Sequence, residues 1–230
     1  MPDYKQIYDA DAARYEQLVS REDNEQNIFR ALDQIRPLAG LDVVEFGAGT
    51  GRLTCMLAPV VGSIQAFDAS QHMLDVAVAN LERSGLRNWR AAVADHRSVP
   101  VADGAADLAI AGWSICYTVV WYPDSWRDEL RTALAEMRRV LRPGGTLIIL
   151  ETLGTGYTTP HPPEELSAYY AALAEAGFSS TWIRTDYRFA SPDEAEELTR
   201  FFFGAELAER VAAERLVVLP ECTGIWWASV

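Results

Sequence analysis

The chain has 230 residues, 49% of them hydrophobic, and carries a formal net charge of −13 with a pI near 4.6. That length suits one domain, or one domain with a cap, and is enough to bury a full core. The acidic balance argues against general affinity for nucleic acid, whose phosphates repel such a surface. Cys55, Cys116 and Cys222 are far apart and odd in number; they read as buried thiols in a reducing compartment, with no metal-ligand spacing. Met1-Pro2-Asp3-Tyr4-Lys5 has no apolar signal core. The longest uncharged run, Leu108 to Pro123, is too short for a membrane span. A soluble cytoplasmic protein that engages no membrane is expected.

Residues 3–36 lack glycine, and their apolar positions fit one or two amphipathic helices, broken at Arg21-Glu22-Asp23-Asn24-Glu25 and stopped by Pro37. Residues 1–37 are therefore expected to form a helical cap, and 38–230 the main domain. From Leu41 the rhythm alternates strand and helix. Strands are expected at Leu41–Phe46, Ser63–Phe67, Trp89–Val93, Ala106–Gly112 and Thr146–Leu150. Between them lie a helix over Gly51–Val60 and one capped by Ser70 and stopped by Gly85. A third, over 124–141, is capped by Asp124 or Ser125 and ended by Arg142-Pro143-Gly144-Gly145. Such alternation implies a mainly parallel sheet with helices on both faces.

Beyond residue 153 come a helix over Pro163–Ala176 and a strand-like Ser179–Tyr187. Ser191-Pro192-Asp193-Glu194 combines an N-cap, a first-turn proline and a capping-box glutamate, opening a helix of roughly 18 residues. Leu216–Leu219 and Gly224–Ala228 close the chain as a strand or hairpin. The stretch 153–215 is expected to supply substrate-side helices and a rim.

The organising feature is Val43-Val44-Glu45-Phe46-Gly47-Ala48-Gly49-Thr50-Gly51-Arg52, a strand running into a glycine turn and then a helix. Glycine there permits positive φ and close approach of a ligand, and the next helix presents free N–H groups. A dinucleotide site needs Gly-x-Gly-x-x-Gly. Here Arg52 stands at the third glycine's place and Gly51 comes one residue early.

Glu45-x-Gly47-x-Gly49-x-Gly51 resembles motif I of class I S-adenosylmethionine-dependent methyltransferases. Three further motifs between about residues 40 and 152 are similar to that family's: Asp68-x-Ser70-x-x-Met73-Leu74, Val93-Ala94-Asp95-His96, and the Arg142-Pro143-Gly144-Gly145 turn. The resemblance implies an α/β, doubly wound Rossmann-like fold, with a seven-stranded mostly parallel sheet, an antiparallel last strand and helices on both faces. It implies S-adenosylmethionine as cofactor, with Asp68 accepting from the ribose hydroxyls and Asp95 from the adenine amino group. Gly47, Ala48, Gly49 and Gly51 would cradle the methionine part, with Ala69 and Met73 beside the adenosine. His96 would show only its backbone to the adenine, and Glu45 would fix the loop or meet the cofactor's amino group. Each carboxylate alone reads better as a loop residue capping a helix; their register with three strand ends favours the ligand.

On the acceptor side, Trp113-Ser114-Ile115-Cys116-Tyr117 and Trp121-Tyr122 follow the fourth strand, where aromatic residues suit an apolar or planar substrate. Trp113 is also a candidate cofactor contact and Tyr117 a candidate catalytic residue, and each could equally be core. The loop after the fifth strand, Glu151 to His161, is expected to be a mobile rim, with His161 as a lone base candidate or a surface residue. Tyr8-Asp9-x-x-Ala12-x-x-Tyr15 is similar to the family's cofactor-capping segment, so Tyr8 and Tyr15 are candidate cofactor contacts or packing residues. The expected function is methyl transfer by in-line displacement to a small-molecule acceptor, by a monomer or homodimer, with no metal and no nucleic-acid partner. Protein methyl transfer, a non-catalytic cofactor-binding subunit or sensor, and nicotinamide-dependent oxidoreduction are the competing readings, the last disfavoured by the spacing around Arg52.

Overall fold

The computed structural model describes residues 4–230. Met1–Asp3, part of the expected cap, lie outside the described residues. The remainder of that cap is three helices, α1 (Tyr4–Ala10), α2 (Ala12–Val19) and α3 (Asn27–Ile35). The expected break falls between α2 and α3, and a further one at Asp11 separates α1 from α2. Asp23 closes the α2–α3 connection, accepting from the Asn27 and Ile28 amides at 2.8 and 2.9 Å and so satisfying donors that a helix start leaves free.

The alternating part runs β1 (Asp42–Phe46), α4 (Arg52–Leu57), β2 (Ser63–Asp68), α5 (Gln71–Ser84), β3 (Trp89–Val93) and β4 (Ala106–Gly112). Then come α6 (Tyr117–Trp121), α7 (Trp126–Arg139) and β5 (Leu141–Thr155). The last third holds α8 (Ser167–Glu175), β6 (Ser179–Arg184), β7 (Tyr187–Arg188), α9 (Pro192–Phe202), α10 (Ala205–Glu214), β8 (Val218–Leu219) and β9 (Glu221–Ser229). Seven strands form one sheet in the order β3-β2-β1-β4-β5-β9-β6. Its first five strands are mutually parallel, and β9 runs antiparallel to both neighbours. The doubly wound sheet with an antiparallel last strand is as expected.

Strand periodicity sends alternate residues to opposite faces. Val44, Phe46, Ala109, Ala111, Leu147 and Ile149 pack against α7 and α8. Val43, Leu108, Ile110, Ile148 and Leu150 pack with Ile28 and Leu32 of α3 and Leu53 and Leu57 of α4. α3 thus belongs to the sheet's wrapping, while α1 and α2 lie toward the carboxyl ends of the strands. The second strand, the N-cap at Ser70 and the stop at Gly85 follow the sequence reading: Ser70 Oγ accepts from the Met73 amide, and Gly85 is left-handed at φ +71°.

Among the expectations that differ from the structure, the helix expected over 163–176 is α-helical only over Ser167–Glu175, and Leu216–Leu219 contributes β8, paired with β7 and not with β9 in a closing hairpin. The helix after the glycine turn ends at Leu57 rather than Val60. Arg142–Gly145 is not a turn before the fifth strand but an excursion inside it, because Ala106 pairs with Leu141 while Leu108 pairs with Thr146. The expected strand over 179–187 is two strands in different sheets, β7 pairing with β8. The helix opened by Ser191 stops at Phe202, and Gly204, at φ +94° and ψ −179°, breaks it before α10. Its cap stands: Ser191 Oγ accepts from the Glu194 amide at 3.1 Å, and Glu194 accepts from the Ala190 amide.

Candidate active site

The carboxyl ends of β1, β2, β3 and β4 open into one cavity of about 750 Å³, a size usual for small-molecule sites. The floor is the glycine turn. Gly47 and Ala48 donate to Phe67 O at 2.8 and 2.9 Å, which folds the turn back over β2. Gly47 has φ +75°, and a side chain there would overlap Ser114, whose hydroxyl donates to Phe46 O at 3.0 Å. Gly51, at φ +85°, abuts Ala77 of α5 and supports the turn from behind, off the cavity wall.

Charged groups are set at each strand end. Asp68 closes β2, one oxygen accepting from Gly49 N and the other from Ser70 N, both at 2.8 Å. Burial raises its carboxyl while those amides pull it down. Glu45, 1% exposed, accepts from Thr54 Oγ1 at 2.5 Å, and burial pushes it up to about 8. Arg52 opens α4, pairs with Glu22 and lies 3.6 Å over the Trp113 ring. Trp113 holds φ +49°, a costly conformation for a bulky residue, and donates from its amide to Leu150 O at 2.7 Å.

The roof and mouth are aromatic. Tyr8 and Tyr15 of α1 and α2 and Tyr117 of α6 line the cavity together with Lys5, Asp9, Trp121 and Tyr122. The Tyr8 hydroxyl donates to Tyr117 at 2.5 Å, and Ser70 Oγ donates to Tyr8 O at 2.9 Å, tying the cap to the turn after β2. Tyr117 stacks on Trp121 with centroids 4.9 Å apart, and Tyr15 meets Tyr8 edge-on. Burial holds the Tyr8 and Tyr117 phenols well above their ordinary range. Val120, Trp121 and Tyr122 remain exposed at the mouth.

Of the residues singled out from sequence, Glu45, Gly47, Ala48, Gly49, Asp68, Ala69, Met73, His96, Trp113, Tyr8, Tyr15 and Tyr117 meet at this cavity. Asp95, Gly51 and His161 do not line it. Asp95 is taken up by Arg97, accepting from its amide, Nε and Nη2 at 2.8, 2.7 and 2.5 Å. His161 is exposed and stacks on Tyr157; as a base candidate it has nothing to act on there. Arg52, Lys5 and Val19 escaped the sequence reading as cavity walls. Arg52 carried one signal, since the residue after a glycine turn starts the helix facing the ligand.

Residues 44–149 match the family model described as a methyltransferase domain. The matched segment, under half of the 230-residue chain, is similar to that methyltransferase domain. Over 111 residues it is 34% identical to the Escherichia coli uncharacterized protein YafE, covering 48% of this chain and 49% of that one. Over 109 residues it is 36% identical to a malonyl-[acyl-carrier protein] O-methyltransferase of Hahella chejuensis, covering 46% and 35%. The aligned part thus spans a third to a half of these curated relatives. A solved S-adenosylmethionine-dependent methyltransferase of Aquifex aeolicus superposes with a TM-score of 0.58 at 18% identity, covering 98% of this chain and 96% of that one, which is a likeness of fold. The matched segment, from β1 to the middle of β5, includes the strands whose carboxyl ends open into the cavity.

Proposed function

We propose that this chain transfers a methyl group from S-adenosylmethionine to a small-molecule acceptor that enters through the aromatic mouth. The carrying observation is a single cavity with two chemically distinct walls, one fitted to the cofactor and one apolar and aromatic. The fit to the cofactor rests on the turn and its charges. Gly47 and Gly49, both at positive φ, leave backbone where a side chain would stand. Asp68 would take the ribose hydroxyls on its remaining lone pairs, since a carboxylate offers about four acceptor sites and the amides use two. Arg52 and Glu45 would face the charged amino-acid end.

Bound there, the cofactor supplies a methyl carbon on a good leaving group, so alignment of the nucleophile provides much of the acceleration. Tyr117 and Tyr8 stay protonated across the physiological range because burial disfavours their phenolates. They orient an acceptor by hydrogen bonding and do not serve as phenolate bases. Trp121, Tyr122 and Val120 supply apolar surface for its body.

Labelled cofactor incubated with a panel of small aromatic and apolar acceptors, and in parallel with whole-cell protein, tests the reading. Label in a small-molecule product is expected. Label confined to protein establishes a protein methyltransferase instead, and tight S-adenosylhomocysteine binding with no transfer to either establishes the non-catalytic alternative.

A further inference from the structure

Among the described residues, exposed large apolar side chains mostly stand singly along the chain, which is ordinary for a protein surface. One group is different. Val120, Trp121 and Tyr122 are consecutive, 52%, 43% and 36% exposed, and all three also line the cavity. They are cavity wall and outer surface at once, so the cavity opens to solvent across apolar side chains.

Helix α6 grades this wall from inside to outside. Tyr117 and Trp121 stand four residues apart on one helix face, and their rings stack at 4.9 Å with planes 20° apart. Tyr117 is the inner end, half-buried and bonded to Tyr8, while Trp121 and Val120 are the outer end. The inner end offers one polar handle. Tyr117 Oη accepts from Tyr8, which leaves the Tyr117 hydrogen for a group bound in the cavity. The outer end offers no free charge. Arg97, 5.2 Å from the centre of the Tyr122 ring, is already shared between Asp95 and Glu129. Lys5 and Asp9 on the α1 side of the wall are of opposite sign.

We propose that the methyl acceptor is an amphiphile longer than the cavity. Its polar head accepts from Tyr117, and its uncharged apolar chain leaves over Trp121 and Val120. The cavity also holds the cofactor, so the head alone shares the interior and the chain is buried against the stacked rings. Continuity with the cavity is what selects this occupant: a second protein on the same patch would sit across the entrance.

This rests on the small-molecule transfer proposed above, and binding measurements keep the two apart. Phenol and its 4-ethyl, 4-butyl, 4-hexyl and 4-octyl derivatives are titrated calorimetrically into protein saturated with S-adenosylhomocysteine. Affinity is expected to rise through octyl, about fourfold per methylene inside the cavity and about twofold along the half-buried track. Val120→Asp should lower the octyl-to-ethyl affinity ratio about tenfold, and Val120→Leu should preserve it. Unchanged S-adenosylhomocysteine affinity in both variants reports that they are folded. A rise that stops or reverses at butyl means a closed acceptor site and overturns the proposal. A ratio unmoved by Val120→Asp, or no binding of any phenol, overturns it too. A wild type that sediments as a dimer, and as a monomer after Val120→Asp, assigns the patch to a second copy instead. Methyl transfer to compact acceptors with a flat chain-length series removes the amphiphile and leaves the proposed function standing. Failure to bind S-adenosylhomocysteine at all would sink the cofactor reading itself.

Discussion

Asp68 has two backbone partners and room for two more. Its bonds to Gly49 N and Ser70 N shape the turn and the start of α5, and its remaining lone pairs are free for the diol. Asp68→Ala should therefore weaken S-adenosylhomocysteine binding by roughly 1.5–3 kcal/mol, the range for hydrogen bonds to a charged group. Titration calorimetry on the folded variant checks it, and unchanged affinity would remove Asp68 from the site. The same residue shows what a sequence can reveal. A carboxylate directly after a strand that follows a glycine turn has its position fixed by the backbone alone, so Asp68 was legible. Asp95 stands two residues beyond the end of β3, and a cation two residues further on captures it. Asp-x-Arg was visible in the sequence, but whether a local ion pair outcompetes a cavity depends on how Glu129 of α7 anchors Arg97, a contact across 32 positions. His161 lies away from the cavity, where Tyr157 offers it a stacking partner on the exposed rim.

At the scale of elements, the caps at Ser70 and Ser191 and the strands Trp89–Val93 and Ala106–Gly112 came out as read, whereas Ser125 makes no capping bond to α7 and several helix ends were missed. Ser191 is the clearest cap. Its hydroxyl holds the Glu194 amide, and Glu194 is also tied to Arg21 of the segment after α2 at 2.6 Å. Ser191→Ala should cost about 1 kcal/mol of folding stability, the usual loss of an N-cap hydroxyl. Urea unfolding would show a lower midpoint at unchanged slope; an unaltered midpoint would mean that Pro192 and Glu194 fix the helix start without Ser191. The other end of that helix was hard to read because apolar residues continue through the break, from Leu198 by Phe201, Phe202 and Phe203 to Leu207 and Val211. One glycine inside such a pattern is tolerable. What stops α9 is tertiary: Phe202, Phe203, Leu207 and Val211 all belong to one small core with Leu18, Tyr187 and Leu219, and one straight helix could not turn them all toward it. β9 hid its start similarly, because Glu221 and Thr223 are polar yet fully buried.

The whole molecule carries a pH dependence that follows from where its acids are buried. Glu45, Glu151 and Glu221 sit at the carboxyl ends of β1 and β5 and the start of β9, each 2% exposed or less. Burial pushes them to about 8, 7 and 8 against an ordinary 4.5. Between those values the native chain holds protons that the unfolded chain has released, so these three groups make stability fall as pH rises from about 4.5 to 8, and the raised Cys116 thiol and the Tyr8 and Tyr117 phenols extend the decline above that. His96, lowered by burial, acts with the opposite sign near its ordinary 6.5, and Asp95, held at about 2, contributes only in strong acid. Three carboxyls outweigh one imidazole, and the melting temperature should decline between about pH 5.5 and 8.5. Glu151 makes the test specific. One of its oxygens accepts from Cys116 N at 3.0 Å and Tyr169 Oη at 2.9 Å, and the other has no partner. Glu151→Gln keeps the accepting oxygen and removes the titration. It should flatten the decline, leaving the variant more stable than the wild type at pH 8 by up to roughly 3 kcal/mol, the worth of a shift from 4.5 to about 7. At about pH 5 the two should differ little. A melting temperature that is level or rises over this range, or a Glu151→Gln curve parallel to the wild type's, would show that these acids ionise in place, with water or a rearranged partner taking up their charge.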